Sequence, residues 1–147
     1  MLRYLVHGHI EMLDLPSAAT TARADDLWLR TCFEAFLRVP GDPGYIELNF
    51  SPSTQWAAYR FDGYRAEMRA ATNVLQPQYD IRIDDQRYDL LAFVELALGD
   101  FPVWQAGLCA VIEEKSGGKS YWALAHPPGA PDFHHEDCFT HELRAAN

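Results

Sequence analysis

Basic residues are scarce in this chain. Only 12 of its 147 residues are lysine or arginine, against 21 aspartates and glutamates, for a formal charge of −9. Phosphate backbones and anionic lipid surfaces repel such a chain unless its cations gather on one face. They do not: Lys115 and Lys119 are the only lysines and the arginines are scattered. Nucleic acid and membrane surfaces are therefore not expected partners, and no protein partner can be read from the sequence. No run approaches the roughly 18 apolar residues that span a bilayer. The opening MLRYLVHGHIEML is interrupted by two histidines and a glutamate, without the apolar region and small-residue cleavage site of a secretory signal. Cytoplasm is the expected compartment. Cysteine is sparse as well: Cys32, Cys109 and Cys138 are odd in number and widely spaced, which argues against a disulfide framework or a zinc knuckle and for three small buried hydrophobes.

What is present is alternation. The 48% hydrophobic content suffices for the core of one domain, so residues 1–147 are read as a single unit. Leu2, Tyr4, Val6, Ile10 and Met12 alternate with polar neighbours as in a strand with one wet face. After an alanine-rich loop at 16–26, TCFEAFLRV reads as a strand with Phe33, Ala35, Leu37 and Val39 on one face and Glu34 on the other. PGDPG then turns the chain into the hairpin YIELNFSPSTQWAAYRFDGYR, with Pro52 at its bend. Residues 63–74 have no firm period and read as an irregular connection or a bulged strand. Two further hairpins follow, one turning at Asp84–Gln86 and one at SGGK, with CFTHELR as a closing strand. About eight or nine short strands without a long helix predict an all-β fold, an antiparallel β-sandwich of jelly-roll or immunoglobulin-like type. A parallel α/β sheet is disfavoured because the helices that would cover it are missing.

Chemistry-bearing residues concentrate on the central hairpin. Sugar rings stack their C–H faces on indole or phenol while their hydroxyls need a few fixed polar partners. Glu47 and Asn49 share one face of their strand, Trp56 and Arg60 one face of the next, and Arg65 lies just beyond. The carboxylates Glu34, Glu47 and Glu113 stand in otherwise apolar strands, where an inward-facing charge must be paired, hydrogen-bonded or protonated. His126, His134, His135 and His141, with Asp132, Glu136 and Asp137, are the available metal ligands, with His126 and His134 foremost. Their spacing matches no HExxH-type signature. His134 is instead expected to anchor its loop through backbone hydrogen bonds.

Three separated blocks, LWLRTCFEAFL, YIELNFSPS…WAAYRFDGYR and VIEE…SYWALAHP…PDFHH, extend from about Leu27 to Leu143. Together they resemble the bacterial DOMON-like domains, relatives of family-nine carbohydrate-binding modules and of the sugar- or haem-binding DOMON superfamily. The resemblance implies a β-sandwich binding module and names neither its ligand nor the tryptophans that would hold it. With the polar face of the hairpin, the expectation is a non-catalytic module for a saccharide or similar polar small molecule, with Trp56, Glu47, Asn49, Arg65 and Trp122 as the candidate ligand-binding residues. No cofactor is expected, haem being the alternative: Met68 with His134 would be the axial pair, and no CxxCH attachment site is present. A glycosidase-like enzyme ranks lower, because no catalytic motif stands out. The family pattern has another strand ahead of the one at Leu2, so a shortened version with an exposed sheet edge is expected.

Overall fold

Turn residues and alternation place the strands where the sequence marks them. The computed structural model describes residues 1–97, 99 and 101–144. Ten strands run through these residues: β1 Leu2–His7, β2 Cys32–Arg38, β3 Tyr45–Phe50, β4 Trp56–Phe61, β5 Arg69–Ala70, β6 Gln78–Asp84, β7 Arg87–Phe93, β8 Val103–Glu113, β9 Lys119–Ala123 and β10 His141–Arg144. The count exceeds the expected eight or nine because the irregular segment 63–74 contributes the two-residue β5. Three single 3-10 turns are the only helical pieces among the described residues, and no helix there is long and apolar enough to cross a membrane.

The strands form an antiparallel β-sandwich. The smaller sheet has the order β1-β7-β6, leaving β1 at one edge. The larger has seven strands in the order β10-β8-β2-β3-β4-β5, with β9 also on β8. β8 is the organising strand. One of its edges pairs with β2, and the other is shared end to end by β10, against Val103–Ala106, and β9, against Cys109–Glu113. The free edge of β4 is covered by β5 and by residues 22–24, whose backbone exchanges hydrogen bonds with Trp56.

Between the sheets lie Phe33, Leu48 and Phe50 from the large sheet and Tyr88, Leu90 and Ala92 from the small one, with the Phe33 and Tyr88 rings stacked at 5.6 Å. These residues occupy alternate positions, so burial of one face follows directly from the period of two. The large sheet is unusual in having its other face buried too. Every residue of β3 is buried, and Val111 and Ile112, which point in opposite directions, are 4% and 6% exposed. No third sheet covers that outer face. Loops do, packing Leu27, Trp28, Phe133 and Phe139 over Phe36, Tyr45, Tyr59 and Phe61. The outer face of the large sheet, half apolar and half polar beneath irregular chain, is where the chemistry-bearing residues collect.

Candidate functional site

The cleft on that outer face has a volume of about 560 Å³. Strand register builds its floor. Glu34 on β2 stands opposite Asn49 on β3, and Glu47 stands between Phe36 of β2 and Tyr59 of β4. Two carboxyls from neighbouring strands thus meet on one face, diagonal to each other. Glu47 Oε1 accepts a 2.7 Å hydrogen bond from Asn49 Nδ2. Glu34 is 3% exposed, and its Oε1 has no hydrogen-bond partner. Burial, reinforced by the charge of Glu47, pushes the Glu34 carboxyl well above the usual range, with Arg65 opposing. Burial also raises Glu47, against the Asn49 hydrogen bond and Arg65. In each carboxyl, desolvation outweighs the nearby favourable groups.

The walls come from the loops. His134 Nδ1 lies 2.7 Å from the Tyr45 hydroxyl, which accepts a 3.1 Å hydrogen bond from the Arg65 main-chain N–H. The Tyr45 hydroxyl donates to Nδ1 in one ring tautomer and accepts from it in the other. The second ring nitrogen, Nε2, faces Glu47 Oε2 at 3.8 Å, beyond direct bonding distance. Burial, helped by Arg65 and opposed by Asp132, lowers His134 to about 4, so the ring is uncharged near neutrality. Arg65 sits at φ 52°, in the left-handed region, and its guanidinium donates to Asp132 Oδ1 at 2.8 Å. Tyr64 donates to the other oxygen of the same carboxylate, so segment 62–68 is clipped to the loop 124–140 that carries His134. Trp28 and Tyr121 supply aromatic surface around the opening, with the buried rings of Phe61 and Phe133 beneath them and Trp28 held edge-on against Tyr59.

Of the residues expected to act together, Glu47 and Arg65 line this cleft, and Asn49 reaches it through Glu47. Trp56 does not. It pairs with Phe50 and points into the core between the sheets, 3% exposed, under the Arg23 guanidinium at 4.1 Å. Grouping it with Glu47 takes the Glu47–Asn49 and Trp56–Arg60 faces of the hairpin to be the same face, but the register pairs Glu47 with Tyr59 and Trp56 with Phe50, which puts Trp56 and Glu47 on opposite faces. Trp122 is likewise elsewhere. On β9 it stands opposite Ala110, in a separate groove of about 400 Å³ beside β1, whereas its neighbour Tyr121 stands opposite Val111 and faces the cleft.

His126 is exposed, near the ring of Phe133, and does not line the cleft. His134 bonds a tyrosine hydroxyl, where backbone partners were expected. No group of three or more His, Cys, Asp or Glu side chains that could hold a metal converges among the described residues. Arg60, the other expected partner for a buried carboxylate, lies 3.7 Å from Asp42 instead, and Glu113, the third acid in an apolar strand, bonds Arg30 at 2.6 Å. Trp28, Tyr45 and Tyr121 were not singled out as a group, since they sit far apart in sequence and only the loop packing brings them together. Glu34 carried a signal, a lone acid in the apolar run TCFEAFLRV.

No protein-family model matches the chain, and no curated protein or solved structure is significantly similar to it.

Proposed function

We propose that the protein is a non-catalytic binding module whose outer-face cleft takes a saccharide or a similarly polar small molecule. One observation carries this reading: a pair of buried carboxyls, one with an unpartnered oxygen, forms the floor of an open cleft walled by aromatic rings. A buried polar oxygen that no protein group partners carries a free-energy penalty, which a ligand hydrogen-bond donor reaching it would relieve. Polar groups at the floor fix orientation while aromatic faces take the apolar side of the ligand, the composition expected of a small-molecule site. The DOMON-like blocks agree with this reading.

Titration calorimetry against a panel of mono- and disaccharides tests it. Trp28→Ala weakens binding by about tenfold or more through loss of a stacking surface, whereas Trp122→Ala leaves affinity unchanged. Equal affinities for wild type and Trp28→Ala, or no binding of any saccharide, would sink the sugar reading. Haem is the second reading, because Met68 and His134 line the same cleft. It requires the His134 ring to leave Tyr45 or to turn Nε2 away from Glu47. A Soret band in the purified protein, lost in His134→Ala, would favour it.

A further inference from the structure

We propose that the cleft floor seats an ammonium group, so that the ligand is a small organic cation. Within the saccharide reading of the cleft, on which this inference rests, it is a sugar carrying a free amine.

The argument starts from what the two carboxyls lack. Among the described residues, no lysine or arginine forms an ion pair with Glu34 or Glu47. The cations at the cleft wall are engaged elsewhere: Arg65 with Asp132 at 2.8 Å, and Lys119 with the main-chain oxygen of Leu29, 3.9 Å from Glu113. His134 faces Glu47 but is neutral at physiological pH. Among the described residues, the only hydrogen bond to either carboxyl comes from a neutral amide, Asn49, and Glu34 Oε1 receives none.

A neutral hydroxyl would satisfy that oxygen and leave two like acids side by side on the buried floor. An ammonium ion supplies three donors and the opposite charge together, and charge-assisted N–H···O bonds are the stronger kind. The rings of Trp28 and Tyr121 at the opening add surfaces that attract cations. Other titratable groups on the same face of the sheet do not compete for the charge: burial raises Cys32 and Cys109 and, with lesser contributions from neighbours, Tyr45 and Tyr59. Glu34 and Glu47 are therefore the carboxyls that face an arriving cation, and proton release on amine binding is the expected signature of Glu34, which burial raises well above the usual range.

Two matched ligand pairs test this by calorimetry at neutral pH: glucosamine with glucose, and cyclohexylamine with cyclohexanol. The amine of each pair is expected to bind about tenfold tighter or more, which corresponds to the difference a charge-assisted contact makes. Glu34→Gln and Glu47→Gln each reduce that preference. In wild type, buffers of different ionisation enthalpy reveal proton release for amines and none for the hydroxyl partners, a readout that does not depend on either variant folding. Equal binding of glucose and glucosamine overturns the ammonium assignment and leaves the saccharide reading standing. Binding of cyclohexylamine that depends on Glu34, with neither sugar bound, supports the ammonium site and overturns the saccharide reading. No binding by any of the four overturns both.

Discussion

At the scale of single residues, Glu34 and His134 pull stability in opposite directions with pH. His134 has its folded value lowered to about 4 from an unfolded value near 6.5. Its contribution is complete above pH 6.5 and is lost as pH falls toward 4, because the unfolded chain takes up the proton first. With the ring largely buried, the loss is on the order of 2–3 kcal/mol. Glu34 behaves inversely. Its folded value is raised, so the native state is favoured at low pH and loses that advantage as pH climbs past the usual carboxylate range toward the raised value. Urea denaturation of single variants between pH 4 and 8 separates the two. His134→Gln should flatten the acid side of the profile, and Glu34→Gln should remove part of the decline on the alkaline side and stabilise the protein at pH 8. A Glu34→Gln profile parallel to wild type across the range would show that the carboxyl is not held protonated.

At the scale of elements, close packing of loop on strand controls the site. A methyl group at Gly107 of β8 would sit 2.7 Å from the main-chain oxygen of Cys138, in the 3-10 turn that follows His134. Gly107→Ala is therefore expected to push that loop off the sheet, lowering stability by about 1–3 kcal/mol and weakening ligand binding, as thermal melts and the same titrations would register. A melting temperature within a degree of wild type would contradict the contact. This packing also marks how far the sequence could be read. Strand positions were legible, since Phe33, Ala35 and Leu37 or Tyr79 and Ile81 announce their faces by alternation. Which aromatic belongs to the cleft was not, because β9 offers Tyr121 and Trp122 side by side and only its register against β8 decides between them. Glu47 and Arg65 were recognisable as polar residues in or near apolar strands. The contribution of Trp28 depends on a turn folding back over β4, which no local pattern encodes.

At the scale of the whole molecule, the four tryptophans occupy different environments. Trp56 and Trp104 are 3% and 8% exposed, while Trp122 is 63% exposed. Trp28, half-buried at the cleft, lies between these extremes. Acrylamide quenching of native fluorescence should therefore come mainly from Trp122 with a smaller share from Trp28, and Trp122→Phe should remove the larger part of the accessible fraction without changing the melting temperature. Strong quenching that persists in the Trp28→Phe, Trp122→Phe double variant would place another indole at the surface. The arrangement around β8 carries a different implication. Residues 124–140, the loop that brings Phe133 and His134 to the cleft, leave the sheet from β9 and return to it at β10, and both strands lie along the same edge of β8. The loop is thus a handle riveted at both ends to one beam. Its ends are held close by the ladders of β9 and β10 on β8 and by the bond from Leu124 N–H to the Leu108 oxygen, and doubling a flexible stretch at its bend adds only about 0.6 kcal/mol of closure entropy. Gly129 lies at its exposed bend with open space around it. The recognition surface can accordingly be lengthened, shortened or exchanged there while the sandwich beneath keeps its register, giving the scaffold a replaceable wall on a fixed floor.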